Sequence, residues 1–206
     1  MPRALSEKEY SDFRHRLCHT ASRLFVEKGL AGVTMRELAA ALGVSAMTPY
    51  RYFRNKEEIL ATVRAQAFNQ LADDLAVANQ AARSNLDRLN ALHKAYLHFA
   101  LENPNRYKLM LDQGEDDAEA YPELGQAQDR CSHWLTDYVG GLVASGYLNG
   151  NPRVIAYTLW SSMHGAIALR FAGKLDAECD LSLIVETAHR ALIAAFTSAS
   201  PQLALS

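Results

Sequence analysis

The sequence predicts an all-α fold: a three-helix N-terminal domain with a helix-turn-helix over residues 1–56, then a roughly six-helix C-terminal domain over residues 57–206. Three observations predict it. Apolar residues recur at helical spacing throughout, and few stretches alternate at period two. Helix-start and helix-stop residues punctuate the chain at regular intervals. Residues 34–56, TMRELAAALGVSAMTPYRYFRNK, set two short helical patterns around a tight turn.

The elements follow in order. Ser6-x-x-Glu9 is a capping box that opens a helix running to about Lys28, where Gly29 suits a left-handed terminus. Thr34 and Glu37 form a second capping box, and Leu38, Ala41 and Leu42 line one face of the second helix. Gly43 supplies the turn, and Ser45 is expected to cap a third helix. Its exposed-looking residues are Ala46, Met47, Thr48, Tyr50, Arg51 and Tyr52. Pro49 sits four after the cap and is expected to distort that helix slightly rather than break it. Phe53 is expected in the core.

Asn55-x-x-Glu58 caps a long fourth helix, about 56–79, with Ile59, Val63, Phe68, Leu71 and Leu75 among its apolar positions. Ser84 and Asp87 open a fifth, about 85–102, carrying Leu89, Leu92, Tyr96, Phe99 and Ala100. Asn103-Pro104 starts a short sixth. The acidic stretch Asp112 to Glu123 reads as a solvated loop. A seventh helix covers about 122–145 and stops near Gly146. Asn151-Pro152 opens an eighth ending at Gly173, and Asp180 a ninth running to about Thr197, before a frayed tail.

Composition sets outer limits. Of 206 residues, 49% are apolar and 21% charged, which is ordinary for a globular chain. No apolar run approaches a membrane span, and the first residues lack a signal-peptide core. Cys18, Cys131 and Cys179 are widely spaced and read as reduced thiols, so a cytoplasmic location is expected. The net charge of −2 hides an asymmetry: residues 1–56 carry ten Lys/Arg against five Asp/Glu, and the remainder eleven against eighteen. A basic domain that coincides with a helix-turn-helix points to phosphate attraction and DNA.

At these residues the chain resembles a family. Gly29 to Leu60, GLAGVTMRELAAALGVSAMTPYRYFRNKEEIL, is similar to the N-terminal DNA-binding domain of TetR-type transcriptional regulators, as is the preceding helix with Ala21, Leu24 and Phe25. Tyr50-Arg51-Tyr52-Phe53 followed by Asn55-Lys56-Glu57 is the most telling part. Nine helices, three and then six, match that architecture. Trp160-Ser-Ser-Met-His164-Gly165 resembles the Trp…His-Gly signature of one C-terminal subgroup.

The resemblance implies roles. Thr34 would meet a phosphate through its hydroxyl and amide at a helix N-terminus, where the dipole favours an anion. Arg36 would reach a guanine edge. Thr48 would touch a base or phosphate, Tyr50 a phosphate, and Tyr52 the groove edge, while Lys56 would clamp a phosphate. Ala46 and Met47 offer no hydrogen bond, so readout there rests on thymine methyls or shape. Arg51 and Arg54 are cations whose direction the sequence leaves open. A small-molecule effector would sit among Tyr96, Phe99, Tyr107, Met110, Trp134, Tyr138, Trp160, Met163 and His164, although each is also suited to plain core. Palindromic DNA calls for a homodimer. Helices eight and nine would supply it, through Gly165, Ala166 and Ala168 for close approach and Leu169, Leu183, Ile184, Leu192 and Phe196 for apolar area. Ligand binding would tilt helix four and change the spacing of the recognition helices.

Rival readings are weaker. The chain has no phosphate-cradling glycine loop, HExxH or nucleophile elbow, so no enzyme and no cofactor is expected. His15-x-x-x-His19 with Cys18 lacks a further ligand at matching spacing and reads as a solvated face, so no metal is expected. A C-terminal domain that answers to a protein partner rather than a small molecule stays open.

Overall fold

The structure, a computed structural model, describes residues 6–111, 120–176 and 178–197. Among them the chain is all-helical: α1 (Glu7–Lys28), α2 (Met35–Ala41), a single 3-10 turn (Pro49–Arg51), α3 (Lys56–Ala81), α4 (Asn85–Glu102), α5 (Pro104–Leu111), α6 (Pro122–Ala144), α7 (Pro152–Phe171) and α8 (Leu181–Thr197). Eight α-helices stand where the sequence predicts nine, because the expected third helix shrinks to the 3-10 turn. Residues 112–119, which hold most of the acidic stretch, and the tail from 198 lie outside the described residues.

Local hydrogen bonds account for the boundaries. Ser6 and Glu9 close a full capping box, the Ser6 amide donating to Glu9 Oε2 at 2.8 Å. Asn55 Oδ1 accepts from the Glu58 amide at 2.8 Å and starts α3. Asn151 Oδ1 accepts from the Arg153 and Val154 amides, with Pro152 beside it where a missing N–H costs nothing. Gly43, at φ 66°, ends α2, and the Val44 amide then donates back to the Ala39 carbonyl at 3.0 Å.

The chain packs as two units. Unit 1 comprises Met1–Gln70 and Asn103–Gln128, and unit 2 comprises Leu71–Glu102 and Asp129–Ser206. By packing, unit 1 therefore runs past residue 56 and takes in α5 and the start of α6. Its main core joins Leu17, Ala21 and Phe25 of α1 to Val33, Leu38, Phe53, Ile59, Val63 and Leu109. Ala61 and Ala65 of α3 pack on Leu124 and Ala127 of α6 in a second cluster. In unit 2, Leu89, Val139, Leu142, Leu148, Ile155, Ala156 and Ile193 form a core, and α7 lies along α8. The Asn149 amide donates to the Phe196 carbonyl at 2.8 Å, which ties the turn before α7 to the end of α8.

Candidate nucleic-acid interface

α2 begins as the sequence predicts, with one consequence the sequence does not show. Thr34 Oγ1 accepts from the Glu37 amide at 3.2 Å, and Glu37 Oε2 takes both the Thr34 amide (2.9 Å) and its hydroxyl (3.0 Å). Lys28 Nζ lies 3.1 Å from the other Glu37 oxygen. That contact, followed by the Thr34 bonds, holds the Glu37 carboxyl below the usual carboxylate range. The Thr34 amide expected on a phosphate is thus already taken. The amides of Met35 and Arg36 have no acceptor within the helix.

Between α2 and α3 the backbone winds more tightly than an α-helix. An α-helix would need the residue 49 amide to donate to the Ser45 carbonyl, and Pro49 has none. The Thr48 amide takes that carbonyl instead at 2.9 Å, and Arg51 and Tyr52 donate to Thr48 and Pro49 in the same three-residue pattern. Ser45 departs from its expected role as well: its hydroxyl pairs with that of Thr48 at 2.9 Å rather than capping an amide. The expected mild distortion is therefore a loss of the α-helix, and the Pro49 ring is buried as the anchor of the turn.

Around this turn most other side chains face outward. Met47 is 68% exposed and Tyr50 49%. Ser45, Ala46, Arg51 and, on α2, Arg36 are exposed, while Thr48 is half-buried. Arg36, Ala46, Met47 and Tyr50 together line one concavity of about 390 Å³. Neither the Arg36 nor the Arg51 guanidinium pairs with a carboxylate among the described residues. Two elements thus present one cation, one phenol and an apolar pair to a single surface, the chemistry that phosphates, guanine edges and thymine methyls require.

Two residues expected on DNA have partners within the chain. Tyr52 is 7% exposed and stacks on Phe13 with ring centroids 4.4 Å apart, with Tyr10 at 4.8 Å. It belongs to the core cluster of unit 1. Lys56 Nζ donates to the carbonyls of Leu30 (2.8 Å) and Val33 (3.0 Å), so two of its three N–H groups bind the α1–α2 connection. Arg54 turns to Glu58, its Nε 3.2 Å from the carboxylate. Phe53 is core, as expected.

Sequence reasoning missed Arg14. Its Nη1 donates to the Tyr52 carbonyl at 2.9 Å, and its guanidinium carbon lies 4.1 Å from the Phe53 ring centre. One side chain on α1 therefore fixes the end of the exposed turn by a hydrogen bond and a cation–π contact. The available signal was a cation on the same helical stripe as Leu17, Cys18, Ala21 and Phe25. Cys18 itself is buried, which pushes its thiol up to about 11 and removes it from the exposed His15 and His19.

The expected effector residues divide between the units. Tyr107 and Met110 are buried in unit 1; the others lie in unit 2. There Tyr96 and Phe99 are buried, and Trp160 Nε1 donates to the Tyr96 hydroxyl at 2.8 Å. His164 stacks on Trp160 at 5.7 Å, and burial lowers its pKa. Trp134, Tyr138 and Met163 are half-buried. Next to Tyr96 on α4, His93 meets His189 of α8 with ring centroids 4.1 Å apart, both buried, a pair the sequence reading missed.

On α7 and α8, Leu169 (49%) and Leu183 (59%) are exposed, as is Ala168, while Gly165, Ile184 and Leu192 are half-buried. Phe196 is half-buried and packs against the unit 2 core, and Ala166 is buried. Val154 and Tyr157 extend the exposed stripe toward the start of α7. No described helix is long and apolar enough to cross a membrane.

Comparison with known proteins places these features. Residues 17–63 match the family model described as bacterial regulatory proteins, tetR family, and residues 89–195 match the tetracyclin repressor-like C-terminal domain. An HTH-type transcriptional regulator of Mycobacterium tuberculosis is 25% identical over 203 residues, covering 84% of this chain and 87% of the relative. The transcriptional activator FasR of Mycolicibacterium smegmatis is 28% identical over 148 residues, covering 71% and 66%. Among solved structures, the TetR family regulator PfmR from Thermus thermophilus matches the fold with a TM-score of 0.72 at 22% identity, covering 87% of this chain and 97% of that one.

Proposed function

The chain belongs to the tetR family of bacterial regulatory proteins and is a DNA-binding transcriptional regulator; from that premise we propose that it is a homodimeric repressor of a palindromic operator, released by a small apolar or amphipathic effector and performing no catalysis. The observation that carries the reading is the concavity lined by Arg36, Ala46, Met47 and Tyr50, with the Arg36 and Arg51 guanidinium groups unclaimed by any described carboxylate. Arg36 reads a guanine, Tyr50 and Arg51 meet phosphates, and Ala46 with Met47 packs a thymine methyl beside that guanine. Thr34 and Lys56 support these contacts by fixing the ends of α2 and α3 rather than by clamping phosphates themselves.

The dimer reading rests on the exposed stripe of α7 with Leu183 of α8. A Cβ added at Gly165 would meet no atom within 4 Å in this chain, so packing within the chain does not require a glycine there. A second copy approaching closely along α7 does require one. The effector reading rests on the half-buried Trp160–Tyr96–His164 cluster. The differential affinity of an effector for two conformations then sets how much DNA is released.

Selection of binding sites from random-sequence DNA tests this. The expected product is a palindrome with half-sites about one helical turn apart. Replacing the thymine beside the selected guanine with uracil removes one methyl group and should weaken binding roughly three- to fivefold. Enrichment of no sequence, or of a lone asymmetric site, would overturn the operator reading. Equal binding to the uracil duplex would remove Ala46 and Met47 from base readout.

A further inference from the structure

Four buried side-chain polar atoms of unit 2 lack a hydrogen-bond partner: Arg88 Nε and His93 Nε2 on α4, Tyr138 Oη on α6 and His189 Nε2 on α8. Buried polar groups without partners are uncommon, and each one calls for a physical reason. Burial lowers the pKa of both imidazoles, so it disfavours their charged forms and with them any pull on a charged partner. Arg88 keeps its charge.

The Arg88 guanidinium is always ionised, is half-buried, and pairs with no carboxylate among the described residues. Asp87, its neighbour in sequence, is engaged elsewhere: it accepts from the Ser84 hydroxyl at 2.7 Å. The Tyr138 ring packs against the core formed by Leu89, Val139, Leu142 and Ile155, and its hydroxyl is buried without a partner. Arg88 and Tyr138 are electrostatic neighbours; burial raises the phenol pKa, and the Arg88 charge opposes that rise.

We propose that Arg88 and Tyr138 are the acid-binding end of the effector site, and that the effector is a carboxylate with an apolar body. This rests on the reading of unit 2 as the effector domain. Arginine Nε–H can only donate and a phenol donates readily, so both groups call for an acceptor, and the guanidinium calls for a negative one. One cation with one phenol balances a single negative charge, which favours a carboxylate over a phosphate dianion. The leucines and valine around Tyr138 suit an alkyl or ring body, since pockets are mostly apolar with few polar groups. No covalent step is involved.

The test uses the full chain and straight-chain carboxylates from hexanoate to palmitate, each beside its methyl ester, followed by tryptophan fluorescence and by release from the selected operator. At least one carboxylate is expected to bind about tenfold or more tightly than its ester. Arg88→Met and Tyr138→Phe should each erase most of that preference, leave ester binding unchanged, and still bind operator without ligand. Equal binding of acid and ester, loss of both in the variants, or no binding by any carboxylate would overturn the assignment. Failure to bind operator would instead overturn the regulatory reading, because fluorescence reports the acid site without DNA.

Discussion

Replacing Phe53 with alanine is expected to destabilise unit 1 by about 3–5 kcal/mol, the range for truncating a buried aromatic. The ring is 2% exposed, lies in the cluster built by α1, α2 and α3, and carries the Arg14 guanidinium over its face. Whole domains are stable by only about 5–15 kcal/mol, so this one change removes a large part of the margin. DNA binding should fall with it, because Phe53 directly follows the exposed turn and its amide donates to the Pro49 carbonyl at 3.1 Å. Phe53→Leu keeps most of the volume and should cost far less. Urea denaturation followed by circular dichroism, with hydrogen exchange of α1 and α3 amides, measures both. A loss under about 1 kcal/mol for the alanine variant would mean the ring is not core.

Acid is expected to destabilise unit 2. His93 is lowered from the ordinary imidazole value near 6.5 to about 4, first by burial, then by His189 beside it and by Lys94. His189 is lowered too, by burial. The unfolded chain therefore takes up protons before the folded one does. Stability that is complete above pH ~6.5 is lost as pH falls toward about 4. At ~1.4 kcal/mol for each pKa unit, His93 alone accounts for on the order of 3 kcal/mol across that window. Melting temperatures measured from neutral pH down to pH ~4 should decline, and His93→Phe should flatten the decline. A wild-type curve with no slope there, or an unchanged slope in the variant, would remove the pair as the cause.

The parts of this molecule that could be read from sequence are those fixed by bonds three or four residues long. The capping boxes at Ser6 and Thr34, and the caps at Asn55, Ser84 and Asn151, all form as the spacing requires. Pro49 shows where local reading stops. Its missing amide passes the Ser45 carbonyl to Thr48 and changes the winding of the whole turn, more than the slight distortion expected. The sequence offered Tyr52 and Lys56 a role at DNA through the family resemblance, and their partners within the chain were not legible there. Their partners, Phe13 and the Leu30 and Val33 carbonyls, lie more than twenty residues earlier, so only folding brings them together. Arg14 was missed for the same reason, since its partner Tyr52 is 38 residues away. In unit 2 the aromatics were legible as a group, but which hydroxyl or imidazole lacks a partner depends on packing between α4, α6 and α8.

Arg36 and Tyr50 are expected to read and hold operator DNA from one surface. Titration of wild type, Arg36→Ala and Tyr50→Ala onto the protein's own upstream DNA, across a salt series, tests it most directly. Wild type is expected to bind tightly and sequence-selectively, and to weaken steeply with salt. Arg36→Ala should lose about 1–3 kcal/mol and much of its preference over unrelated DNA, with the salt slope retained. Tyr50→Ala should bind every sequence more weakly while keeping the preference. Variants that bind as wild type does, or a wild type that prefers no sequence, would contradict the claim.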